Sequence, residues 1–114
     1  MSRDDLVRMI LIELEKQSEA ARSRPRPPAW QWWAVRDYEL DLEFGPRYSP
    51  TWFGEVATTE ARRVRALRGI YRLEAAGLLE IFKSEGGRLE RVRLTPAGSE
   101  AVAELRAAAV PAGS

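Results

Sequence analysis

The stretch EARRVRALRGIYRLEAAGLLEIFKSEGGRLERVRLTPAGSEAVAEL (60–105) decides the fold, because its periodicity turns from helical to alternating and back within one unbroken run. Ala66, Ile70, Leu73 and Gly77 recur at spacings of three and four, which predicts a helix from about Glu60 to Ala76 that Gly77 stops. Thr58 or Thr59 is placed to cap it, so 58–77 reads as one unit. LLEIFK (78–83) and RLERVRL (88–94) then alternate, and Ser84-Glu85-Gly86-Gly87 between them is a hairpin signal. Simple alternation in the second run puts Leu89, Arg91 and Arg93 on one face and Arg88, Glu90, Val92 and Leu94 on the other. Thr95 supplies a cap and Pro96 fits a first helical position that needs no donor, so a last helix opens there. Ala97, Ala101, Val102 and Leu105 fall on one of its sides, and AAAVPAGS (107–114) is expected to fray.

Upstream, Ser2 and Asp5 resemble a capping box ahead of a helix. Its apolar stripe is Leu6, Val7, Ile10, Leu11 and Leu14, and it runs to about residue 20. The prolines of SRPRPPA (23–29) stop it and fix an extended connector. In WQWWAVRDYELDLEFGPRY (30–48), Tyr38, Leu40, Leu42 and Phe44 alternate with Glu39, Asp41 and Glu43. That pattern favours a helical start at the tryptophans followed by extended structure; a helix over Trp30 to Leu42 is the alternative, since acids are poor strand formers. Gly45-Pro46 ends the element either way. SPTWFG (49–54) has the form of a short capped helix with proline first.

A chain of 114 residues has room for one hydrophobic core. It contains no cysteine and no histidine, which excludes disulfides, thiolate nucleophiles, imidazole bases and the usual zinc ligand sets. No signal-peptide pattern opens it and no run approaches ~20 apolar residues, so a soluble, cytoplasmic protein without membrane contact is expected. The formal charge of +1 conceals an asymmetry. Residues 37–60 carry six acids against Arg47, whereas residues 61–93 carry nine bases against four acids. A nearly neutral protein thereby gains one local anion-binding face.

Two phrases go beyond generic patterning. Arg72-Leu73-Glu74-Ala75-Ala76-Gly77-Leu78-Leu79 and Leu94-Thr95-Pro96-Ala97-Gly98 resemble the "RLE-x-x-GLL" and "LT-x-x-G" phrases of winged helix-turn-helix regulators of the MarR-like and PadR-like kind. The resemblance implies a mainly α fold with a small β-wing, an α+β winged helix-turn-helix. Residues 1–106 would form a single domain: 23–48 a Pro/Trp-rich acidic insert, 58–77 the recognition helix and 78–94 the wing, followed by a flexible tail over 107–114. It further implies a transcriptional regulator that binds double-stranded DNA as a homodimer paired through its first and last helices. The insert is longer than such a regulator requires, and SPTWFG is a short, glycine-containing version of the usual second helix.

Arg65, Arg68 and Arg72 form an outer row on the helix side opposite Ala66, Ile70 and Leu73. Guanidinium groups pair bidentately with guanine in the major groove or clamp phosphates. The resemblance puts this row in the groove, with Arg62, Arg63 and Arg88 on phosphates. A solvated helix face is the plain alternative; it normally mixes charge signs, whereas no acid lies three or four residues from Arg68. For Arg91 and Arg93 a half-exposed strand is as good an account as nucleic-acid contact. Trp30, Trp32, Trp33 and Trp52 are expected in the core or at a partner interface rather than stacked on bases. The paired acids Asp37/Glu39 and Asp41/Glu43 have no base, metal ligand or glycine cradle beside them, so neither an enzyme nor a cofactor is expected. The rival function is a winged helix that binds another protein through the Trp-rich acidic insert.

Overall fold

In the computed structural model, which describes residues 3–49, 51–52 and 60–109, the elements run α1 (Arg3–Ser23), α2 (Trp32–Phe44), α3 (Glu60–Ala75), β1 (Leu79–Lys83), β2 (Leu89–Leu94) and α4 (Pro96–Ala109). The fold is thus mainly helical with a small antiparallel sheet. The proposed caps Ser2, Thr58 and Thr59, with Pro50, Phe53 and Gly54 of the short-helix reading, lie outside the described residues. Thr51 and Trp52 form a 3-10 turn, and the Trp52 amide donates to the Ser49 carbonyl at 3.1 Å.

The apolar stripe of α1 is the centre of the core. Ile10, Leu11 and Leu14 are buried against Ala66, Ile70 and Leu73 of α3, Leu79, Leu89 and Val92 of the hairpin and Val102 of α4. Burying each large side chain of this set contributes roughly 1.5–3 kcal/mol. Gly69 of α3 is buried too, because a Cβ there would stand 2.6 Å from Cδ1 of Ile10. Glycine lets the two helices approach closely.

α3 ends as its sequence dictates. Gly77 has φ +81°, the Leu78 amide donates to the Leu73 carbonyl at 3.0 Å, and the Gly77 amide donates to the Glu74 carbonyl at 2.9 Å. This is a Schellman motif, satisfying carbonyls the helix leaves open. Gly77 itself is exposed rather than on the inward seam, since the chain has already left the helix.

The hairpin pairs Leu79 with Leu94, Glu80 with Arg93, Ile81 with Val92 and Phe82 with Arg91, and then Lys83 with Leu89. Glu90 is therefore an extra residue on β2, a bulge that reverses the alternation behind it. Leu89 joins Val92 in the core instead of sharing a face with Arg91 and Arg93, which corrects the simple period-two assignment. Segment 46–48 lies along the free edge of β2: the Tyr48 amide donates to the Glu90 carbonyl at 2.8 Å, the Val92 amide donates to the Pro46 carbonyl at 3.3 Å, and Arg47 bridges Arg91.

α4 begins at Pro96 with Thr95 as its cap, the Thr95 hydroxyl accepting from the Gly98 amide at 3.1 Å. Val102 is buried and Ala101 and Leu105 pack beside it, but Ala97 is exposed and Gly98 takes the inward place. The helix continues to Ala109, past residue 106.

The largest correction concerns residues 38–44, which are helical throughout and not extended. Two causes are visible. The edge of β2 is already occupied by Pro46–Tyr48, so a strand at 38–44 cannot add there. A helix also stacks Asp37 and Asp41 on one face, four residues apart, where both reach Arg91. α2 has no fully buried residue, so the core imposes no 3.6-residue stripe on its sequence.

Candidate nucleic-acid interface

α3 is held by Ala66, Gly69, Ile70 and Leu73, and this fixes what its opposite side presents. Arg62, Arg63, Arg65, Arg68 and Arg72 are all exposed. Among the described residues no carboxylate stands within 4.0 Å of Arg65, Arg68 or Arg72. Two large apolar side chains share that outer surface: Val64 is 39% exposed and Tyr71 is 36% exposed. They stand four residues before and three after Arg68, so they flank it on the helix surface. The Lys83 ammonium lies 5.2 Å from the Tyr71 ring centroid, which carries the positive charge from α3 onto the end of β1. Val64 and Tyr71 lie outside the periodic apolar seam of the helix; their signal in the sequence is an apolar pair on a face otherwise given to arginine.

Three of the four acids of α2 are engaged elsewhere. Glu39 pairs with Arg26 at 2.6 Å, Asp41 with Arg24 at 2.8 Å and with Arg91, and Asp37 with Arg47 and Arg91, each at 3.4 Å. Arg91 is buried at 4% exposure and also donates to the Gly45 carbonyl at 3.0 Å. It is a clamp that fastens α2 to the outer face of the sheet, not a half-exposed strand residue. Arg93 donates to Glu80 at 2.7 Å and to the Glu43 carbonyl, and its guanidinium lies 5.3 Å from the Phe82 ring centroid. Phe82 in turn meets Phe44 edge-on with centroids 5.0 Å apart. Arg91 and Arg93 therefore bind α2, whereas Arg88, like Lys83, is an exposed cation next to the turn. The Ser84 amide donates to the Arg88 carbonyl at 2.9 Å, so the turn closes at Arg88.

The tryptophans divide into two kinds. Trp52 is half-buried, meeting Tyr48 edge-on at 5.4 Å and packing on the core. Trp30, Trp32 and Trp33 are exposed by 70%, 68% and 55% and touch one another edge-on, with centroids 6.1 and 5.8 Å apart. Core packing is thus wrong for these three. Burial raises the pKa of Tyr48, against the opposing charge of Arg63.

The chain matches no protein-family model, no curated protein and no solved structure. Among the described residues no helix is long and apolar enough to cross a membrane, and no cluster of acids is arranged to hold a metal ion.

Proposed function

We propose that this chain is a winged-helix domain that binds duplex DNA, most simply as a cytoplasmic transcriptional regulator without catalytic activity. The observation that carries the proposal is the division of charge just described. Every acid of α2 that forms an ion pair is paired with Arg24, Arg26, Arg47 or Arg91, while Arg65, Arg68 and Arg72 stand exposed on α3. Arg65, Arg68 and Arg72 enter the major groove and meet guanine edges, and Val64 meets a thymine methyl beside them. Arg62, Arg63 and Arg88 neutralise phosphates, the last from the wing. The winged-helix reading is supported by the order of elements and by segment 46–48 lying on the edge of β2 ahead of α3. Pairing of two copies is assigned to α1 and α4, which frame an open groove of about 440 Å³ lined by Val7, Leu11, Ala101 and Leu105 with Arg8 and Glu104 beside them.

The test is duplex binding by the triple variant Arg65→Ala/Arg68→Ala/Arg72→Ala. These side chains are exposed, so the variant folds, and its affinity drops at least a hundredfold. Unchanged affinity contradicts the proposal. The exposed cluster of Trp30, Trp32 and Trp33 favours a second reading, in which this surface binds a protein and DNA is not bound. Under that reading the triple arginine variant keeps its full activity, and replacement of the tryptophans abolishes it.

A further inference from the structure

A second group of cations lies away from the row on α3. Segment 46–48 and the hairpin turn enclose an open cleft of about 370 Å³ lined by Arg47, Tyr48, Ser84, Arg88, Leu89 and Glu90. Its position follows from two local features. The bulge at Glu90 turns Leu89 inward to form the floor, and the Tyr48 amide, bonded to the Glu90 carbonyl, holds segment 46–48 against the strand. Arg88 is exposed and has no ion pair among the described residues. Arg47 is 61% exposed, and among the described residues its guanidinium is held only by Asp37 at 3.4 Å, a long, solvated contact of little energy. Ser84 and Tyr48 bring hydroxyl groups to which no described residue is hydrogen-bonded. Glu90 is the opposing charge in the wall.

We propose that this cleft binds a phosphate group, with Arg47 and Arg88 as its paired cations and the hydroxyls of Ser84 and Tyr48 as additional donors, and that its source is the backbone of the bound duplex. Two guanidinium groups and two hydroxyls match the chemistry of a phosphate, which accepts several charge-assisted hydrogen bonds at once. Tyr48, in the lining of the cleft, also feels the positive charge of Arg63 on α3. A phosphate seated there fixes the angle of the wing on the DNA and carries no sequence information. The inference deepens the DNA-binding proposal and gives Arg47 a role that its acidic surroundings in the sequence concealed.

The experiment compares duplex affinity against salt for the full chain and for Arg47→Ala, Arg88→Ala, Glu90→Gln and, as a control outside the cleft, the exposed Arg36→Ala. Arg47→Ala and Arg88→Ala each weaken binding and flatten the log–log salt slope, by no more than about 0.9 even together because the two cations share one phosphate. Glu90→Gln tightens binding several-fold, because it removes the opposing charge, and Arg36→Ala changes nothing. A merely structural role does not give gains and losses of opposite sign. If the duplex binds but the cleft variants keep the parent slope, the inference falls and the α3 proposal stands. A second arm uses inorganic phosphate alone and follows the Nε–Hε resonances of Arg47 and Arg88. Saturable shifts lost in Arg47→Ala support the cleft. Such shifts in a chain that does not bind duplex overturn its assignment to backbone phosphate, and no shift in that chain overturns the cleft itself.

Discussion

Gly98, in the first turn of α4, sits so close to the Leu78 carbonyl that a Cβ there would stand 2.1 Å from its oxygen. The same carbonyl accepts from the Thr95 amide at 3.1 Å, and the Thr95 hydroxyl donates to the Gly77 carbonyl at 2.7 Å. The end of α3 and the start of α4 are thus one joint, closed by three backbone or hydroxyl contacts. Gly98→Ala forces the two segments apart and destabilises by about 1–3 kcal/mol. Gly86→Ala, where nothing lies within 4 Å, stays within about 0.5 kcal/mol. Urea unfolding of the two variants beside the parent measures the difference.

The clamp between Asp41 and Arg91 predicts a sharper effect. Arg91 has lost its water, so removing its partner leaves a buried charge with, among the described residues, only Asp37 at 3.4 Å and a carbonyl to answer it. Asp41→Ala is expected to cost about 3 kcal/mol. Replacing both members by Arg91→Met/Asp41→Leu restores most of that loss, since apolar groups then fill the space between α2 and the sheet. Denaturant midpoints of the single and double variants check the pair.

Tyr48 sets the behaviour in alkali. Its folded-state pKa lies above its ordinary value of 10.0 because burial disfavours the phenolate, with Arg63 opposing. The folded protein therefore holds the proton more tightly than the unfolded chain. The resulting stability is complete below pH 10 and is lost as pH rises from there through the folded pKa. Tyr48→Phe removes this contribution, so the stability difference between parent and variant is constant below pH 10 and narrows above it if the parent is the more stable. Thermal melts from pH 8 to 11 give the comparison.

How far the structure was legible depended on what each segment packs against. The stripe of Leu6 to Leu14, the seam of Ala66, Ile70 and Leu73, and the stop at Gly77 answer to a single core, so periodicity exposed them directly. Two places answered to something else. α2 is positioned by Asp37, Asp41 and Phe44 against the outer face of the sheet, with no buried residue to write a helical stripe, so its alternation resembled a strand. In β2 the bulge at Glu90 altered which residues share a face, and no local signal marks a bulge at glutamate. The arginine row was legible because a helix fixed on one side exposes the other. The fate of Arg91 was not, because it depends on an ion pair spanning fifty residues of sequence.

Individual arginines are expected to differ in kind. Alanine at Arg65, Arg68 or Arg72 weakens binding to the preferred duplex by about 1–3 kcal/mol and relaxes the preference at one base pair. Alanine at Arg62 or Arg63 weakens all duplexes alike and lowers the salt slope by about 1. Binding of each variant to a panel of duplexes selected from a random pool separates the two groups, and a recovered palindrome reports a paired protein.

The most direct measurement is the affinity of the unaltered chain for duplex DNA between 50 and 200 mM salt, a range over which several phosphate contacts change affinity by orders of magnitude. An α3 face and a wing that together neutralise three phosphates, at Arg62, at Arg63 and in the cleft of Arg47 and Arg88, give a log–log slope of about −2.7. A slope indistinguishable from zero, or no duplex binding at the lowest salt, contradicts the account.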